Sequence, residues 1–149
     1  LIGNVTSADA VTWTPSGDGV VMMKVKRNSK GTVTSSQIIS LSTTGQQRIL
    51  RDGLNPVVIR KLNKIMFVAT KDGKPAWFLC DLNGKNEKPI GSDGLSNLLA
   101  PAPSPDGMSV IMMQPQKEAA PSMYVVNLQT GQRRRLNLPT GAWSYPAWR

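Results

Sequence analysis

Histidine is missing from all 149 positions, and cysteine occurs once, as Cys80. Without an imidazole there is no Ser-His or Cys-His dyad, the commonest general base is gone, and no histidine metal site can form. A lone thiol closes no intrachain disulfide and cannot build the multi-thiolate cages of structural zinc or iron–sulfur clusters, and it leaves the redox compartment open. Acidic side chains are scarce, 9 against 18 Lys plus Arg, for a formal net charge of +9. No Walker loop, calcium-loop spacing or paired-carboxylate signature appears. The sequence therefore predicts no catalytic residue, no cofactor, no metal and no enzyme. No apolar run approaches the roughly 18 residues that span a bilayer, so no transmembrane segment is expected. The start at Leu1 shows no charged segment leading into a long apolar stretch. Because it does not begin with Met, the sequence is expected to have been processed or cut from something longer.

What is present is a core-forming composition, 40% hydrophobic and 18% charged. That suffices for a folded domain, or part of one, and argues against disorder and coiled coil. It is also periodic. Val20-Val21-Met22-Met23 recurs as Ile65-Met66-Phe67-Val68 and as Val110-Ile111-Met112-Met113, 45 residues apart both times. Trp13, Val58, Pro103 and Trp148 hold the same register, and Pro15 pairs with Pro105. Each unit then carries a second apolar run and a polar turn: Ile38 to Leu41 before Thr43-Thr44-Gly45, Trp77 to Leu82 before Asn83-Gly84, and Met123 to Leu128 before Gln129-Thr130-Gly131. Mixed segments follow at Gln46 to Leu50, Lys85 to Ile90 and Gln132 to Leu136, the pattern of a half-exposed outer strand.

A short unbroken run of Val, Ile, Met and Phe marks a strand covered on both faces, since a one-sided sheet would alternate. Gly and Pro leave no stretch of helical period long enough for a βαβ crossover. An all-β fold remains, of four-stranded antiparallel sheets stacked face to face at a 40- to 50-residue period, which describes β-propeller blades. The expected blades run over about 11–52, 55–92 and 100–138, with 143–149 opening another.

Pro103-Ser104-Pro105-Asp106-Gly107-Met108-Ser109-Val110, followed by Met123-Tyr124-Val125-Val126-Asn127-Leu128-Gln129-Thr130-Gly131, resembles the TolB-type, WD40-like propeller repeat. Trp13-Thr14-Pro15-Ser16-Gly17-Asp18-Gly19 is a degenerate version, and Tyr145-Pro146-Ala147-Trp148-Arg149 resembles the opening of the next repeat. The middle repeat departs most, with Arg60-Lys61-Leu62-Asn63 where the family has Ser-Pro-Asp-Gly. The resemblance implies a periplasmic or otherwise extracytoplasmic, non-catalytic scaffold that binds proteins through its blade loops. The propellers that gate serine peptidases of the prolyl-oligopeptidase kind have similar repeats, and a catalytic domain would then lie outside residues 1–149.

Propellers close with roughly 4 to 8 blades, because every blade covers two neighbours. Three blades predict open end faces built from Met22, Met23, Ile111 and Met113 or their neighbours. Either two copies close a dimeric ring, or the chain belongs to a longer ring of six to eight blades; the stop at Trp148-Arg149 favours the second.

Asp106-Gly107 is read as turn chemistry and not as a catalytic acid. The cations are scattered over all units without a nucleic-acid-binding motif, so they predict a solvated surface, or else an acidic protein or membrane partner, and no nucleic acid. Recurrence of Trp13 and Trp148 at equivalent positions predicts core packing. Cys80 is expected to be a buried, inert thiol. The candidate partner-binding residues are those in connections between blades and between second and third strands: Arg27, Lys30, Arg51, Lys74, Leu98, Leu99, Trp143 and Tyr145. Apolar residues in such connections are either tucked under the loop or offered to a partner.

Overall fold

In a computed structural model, residues 8–91, 95, 97–117 and 119–138 are described. The chain divides into two compact units, residues 1–88 and residues 89–149.

The first unit holds two sheets. One is β1 (Ala8–Trp13), β2 (Gly19–Arg27), β3 (Val33–Ser42) and β4 (Gln47–Asp52); the other is β5 (Leu54–Ile59), β6 (Lys64–Lys71), β7 (Lys74–Asp81) and β8 (Lys88–Pro89), which ends at the division. The second unit holds β9 (Leu99–Pro103), β10 (Ser109–Gln114), β11 (Ser122–Asn127) and β12 (Arg133–Arg135). In all three sheets the strands lie side by side in chain order, an antiparallel meander. The fold is all-β, as the sequence predicts. In each sheet the ladder between the first and second strands is broken by a register shift, at Ala8/Val11, Leu54/Val57 and Ile111/Met113. One extra residue at the same place in each sheet bends that strand and increases its twist.

The turn between β9 and β10 shows what its sequence is for. Asp106 Oδ1 accepts the Ser104 hydroxyl at 2.6 Å and the Met108 N–H at 2.9 Å, while Gly107, at φ 72°, donates its N–H to the Ser104 carbonyl. The Ser104 hydroxyl also accepts the Ser109 N–H at 3.0 Å. In the first sheet Thr14 takes the place of Ser104, and Asp18 Oδ1 accepts the hydroxyls of Thr14 and Ser16, both at 2.7 Å. These carboxylates organise hairpins, and both are held below their ordinary pKa by the hydroxyl bonds, Ser104 at Asp106 and Ser16 then Thr14 at Asp18. In the middle sheet Arg60–Leu62 forms one 3-10 turn, closed by Asn63 at φ 52° with its N–H on the Arg60 carbonyl. A left-handed Asn stands there in place of Asp-Gly.

The two sheets of the first unit pack face to face. Val21 and Ile38 from the first meet Val58, Ile65, Phe67, Phe78 and Cys80 from the second in one cluster, with the Phe67 and Phe78 rings stacked at 5.7 Å. Burying an aliphatic or aromatic side chain of this size stabilises by about 1.5–3 kcal/mol, so this face holds the two blades together. The buried runs Val21-Met22-Met23 and Ile65-Met66-Phe67 are covered on both faces, as a sandwiched strand requires. β10 differs: Val110 and Met112 are buried, Ile111 and Met113 half-buried, the alternation of a strand covered mainly on one face.

Two expectations need correction. Met22 and Met23 are themselves buried, and the exposed apolar residues on the face of Met22 are its ladder neighbours Val11, Trp13 and Ile49. Met23 pairs with Ile38, on the face turned to the second sheet, and Met22 packs with Ile39 and Leu41. Trp13 is 48% exposed and Val11, two residues earlier on the same side of β1, 56%. A recurring tryptophan is buried only where something covers its side of the strand, and no described residue covers this one. Its counterpart Trp148 lies outside the described residues.

Candidate interaction surface

The strand directions place the β2–β3 hairpin, the β6–β7 hairpin and the β4–β5 connection at one end of the first unit. Between the two sheets at that end lies a groove of about 480 Å³ lined by Ser35, Ser36, Arg51, Asp52, Gly53, Leu54, Val68, Ala69, Thr70 and Pro75. Hydroxyls and one carboxylate share it with an apolar floor.

Four of the sequence-selected residues come to this end. Arg27 closes β2 and donates to the Gly31 carbonyl at 3.1 Å across its hairpin. Lys30 stands at the tip, its N–H on Asn28 Oδ1 at 3.0 Å. Lys74 opens β7 directly opposite Lys71. Arg51 is tied into the packing between the sheets: its guanidinium lies 4.2 Å from the centre of the Phe67 ring, pairs with Glu87 and reaches the Gly84 carbonyl at 3.5 Å. In the second unit Leu98 is fully buried, its N–H on the Leu95 carbonyl, while Leu99 is exposed at the start of β9. Trp143 and Tyr145 lie outside the described residues.

Sequence reasoning did not single out Ser36, Leu54 or Thr70, which line the groove, or Lys71, one ladder pair beyond it. The available signal was the register of the β6–β7 ladder, which sets Thr70 against Pro75 and Lys71 against Lys74 once the hairpin is placed. Cys80 is buried, and that burial pushes its thiol pKa up, opposed by the charge of nearby Arg51. On β6 and β7, Lys64 pairs with Asp81, whose carboxyl is held below its ordinary value by that contact and by the Asn86 amide. Among the described residues no three Cys, Asp or Glu side chains cluster as metal ligands would, and no helix is long and apolar enough to cross a membrane.

No protein-family model matches the chain. A TolB homolog of Chlorobaculum tepidum is 34% identical over 86 residues, 58% of this chain and 19% of that protein. TolB from Acinetobacter baumannii superposes with a TM-score of 0.66 at 21% identity, over 89% of this chain and 32% of that one. The chain is similar to TolB-type proteins, and its sheets have the fold of β-propeller blades. A TolB-like structure from Agrobacterium tumefaciens, described as putative, gives a TM-score of 0.71 at 15% identity, covering 91% of this chain and 50% of that one. The β-propeller domain of the Trilobed protease from Pyrococcus furiosus gives 0.62 at 12% identity, over 95% and 47%. The chain matches about a fifth of its curated relative's length and a third to a half of these structures.

Proposed function

We propose that the chain is part of a non-catalytic β-propeller scaffold that presents the hairpin end of its blades to a protein partner. The observation that supports this reading is the placement of Arg27, Lys30 and Lys74 at the hairpin end of two packed blades, beside a groove that Arg51 lines. A wide end surface of hairpins on a rigid stack is suited to recognition, because loops vary while the strands hold their positions. The remaining blades would come from a longer chain or a second copy, and the TolB-type resemblance points to an extracytoplasmic location. Exposed Leu99 and the Trp143–Tyr145 connection would serve as further contacts.

A second reading is the propeller of a serine peptidase, favoured by the likeness to a protease propeller domain. The test uses the full-length gene product in its host. Photo-crosslinkers at Ser29 and Asp72, on the hairpin tips, should give a discrete protein adduct, and one at Thr44 in the turn at the other end should not. A serine-reactive fluorophosphonate probe should leave the full-length product unlabelled. Labelling that maps to a Gly-x-Ser-x-Gly elbow would establish the peptidase instead.

A further inference from the structure

From the interblade groove we infer a more specific partner: an extended acidic peptide segment, seated between β3–β5 and β6–β7 with its carboxylates on Lys71 and Lys74. The inference rests on the scaffold reading and adds the chemistry of what binds.

The β6–β7 ladder carries the argument. Its face turned to the first sheet runs through the pairs Ile65–Cys80, Phe67–Phe78 and Ala69–Ala76, all within or against the apolar cluster. The next pair on that face is Lys71–Lys74. Apolar packing between the blades thus gives way, one pair beyond the groove lining, to two lysines directly opposite one another. Like charges facing across a ladder are destabilising, with side chains about 4.5–5.5 Å apart at Cβ. Both are exposed, and among the described residues neither forms an ion pair. Lys26 and Lys30 add charge from the neighbouring hairpin. The acids at this end are Asp52, in the groove lining, and Asp72, in the β6–β7 turn. Neither acid forms an ion pair with Lys71 or Lys74 among the described residues, so an anionic occupant would relieve their repulsion.

The groove lining beside the lysines favours a peptide over a phosphate backbone. Leu54, Val68, Ala69 and Pro75 offer contact to aliphatic side chains, while the Ser35, Ser36 and Thr70 hydroxyls can exchange hydrogen bonds with a peptide backbone. In an extended segment alternate side chains point the same way about 6.4–6.8 Å apart, so carboxylates can reach the lysines while the residues between them meet the opposite wall.

The purified 149-residue chain is titrated with fluorescein-labelled ten-residue peptides in which Glu alternates with Val. The matched controls carry Gln or Lys in place of Glu, and a single-stranded oligonucleotide of equal charge is run in parallel. The Glu peptide should bind, with affinity falling as salt rises, at least tenfold more tightly than the Gln peptide. Lys71→Gln with Lys74→Gln should weaken it at least tenfold, Lys85→Gln with Lys88→Gln should leave it within twofold, and Asp52→Asn should tighten it. Circular dichroism verifies folding of each variant, and Lys74→Gln alone, weakening binding by a smaller factor, serves if the double variant does not fold. Equal binding of Glu and Gln peptides, insensitivity to the Lys71 and Lys74 changes, or equal lysine-dependent binding of the oligonucleotide overturns the inference. If the hairpin crosslinkers still capture a protein, the scaffold reading survives that result. If they capture none, the scaffold reading fails on its own test.

Discussion

The guanidinium carbon of Arg51, on the last strand of the first blade, sits 4.2 Å from the centre of the Phe67 ring in the second strand of the next. The same head group pairs with Glu87 and reaches the Gly84 carbonyl, so one side chain ties β4 to the far turn of the neighbouring sheet. A cation over an aromatic face is worth about 0.5–2 kcal/mol, more as it is desolvated, whereas an exposed carboxylate partner adds under about 1 kcal/mol. Arg51→Met, which keeps an apolar stem, is expected to cost about 1–3 kcal/mol in urea denaturation, and Glu87→Gln less than about 1 kcal/mol. Equal losses would shift the weight from the ring contact to the ion pair.

Asp18, Asp81 and Asp106 are all favoured in their charged form by the fold, through hydroxyl bonds at Asp18 and Asp106 and through Lys64 at Asp81. A carboxyl whose pKa is depressed in the folded state adds stability above its ordinary value of 3.8 and loses it as pH falls through the lower folded value. Carbon-detected NMR titration should therefore place all three below 3.8. Asp106→Asn keeps an amide oxygen for the Ser104 and Met108 bonds but cannot titrate, so its stability should fall less steeply in acid than that of the parent chain.

The sheets were legible in the sequence because three independent signals agreed at one period: apolar runs, polar Gly-containing turns after the third strand, and mixed outer segments. Trp13 was not, because recurrence fixes a position in a blade but burial depends on what stands next to it. The end-face expectation missed at Met22 and Met23 themselves for a related reason: the apolar run shows that a strand is enclosed without showing which neighbour encloses it. At the candidate surface, loop position was enough to find Arg27, Lys30 and Lys74, since hairpin tips follow from strand ends. The interblade clasp made by Arg51 was hidden because its partners Phe67 and Glu87 lie 16 and 36 residues further on. Lys71 looked like an ordinary strand-end charge until the ladder register set it against Lys74.

Gly53 is where the first blade hands over to the second, and the two sheets leave it no room. A Cβ there would stand 2.8 Å from Ile38 Cδ1 and 2.9 Å from Phe67 Cδ2, with the Val68 carbonyl oxygen at 3.2 Å. Overpacking of this kind costs about 1–3 kcal/mol, and Gly53→Ala should lose that much in urea denaturation. Ile38→Val removes the nearer methyl, so the double variant should lose less than the sum of the two single changes. Strict additivity would mean that the blades move apart freely at this point.

Cys80 gives a direct readout of whether the two blades stay packed. It belongs to the cluster that joins them and is 1% exposed, and burial raises its pKa, so at neutral pH it is a protonated thiol out of reach of solvent. In the folded chain a disulfide reagent at pH 7 should modify it far more slowly than the same thiol in urea, at a rate set by how often the packing opens. Arg51→Met removes the neighbouring cation, which raises the thiol pKa further, but it also loosens the contact over Phe67. Because the reagent reaches the thiol only in the opened state, the loosening governs the rate, and Arg51→Met should be labelled faster than the parent chain at pH 7. Rapid labelling of the unmodified chain without denaturant would mean that the two blades are not held face to face in solution.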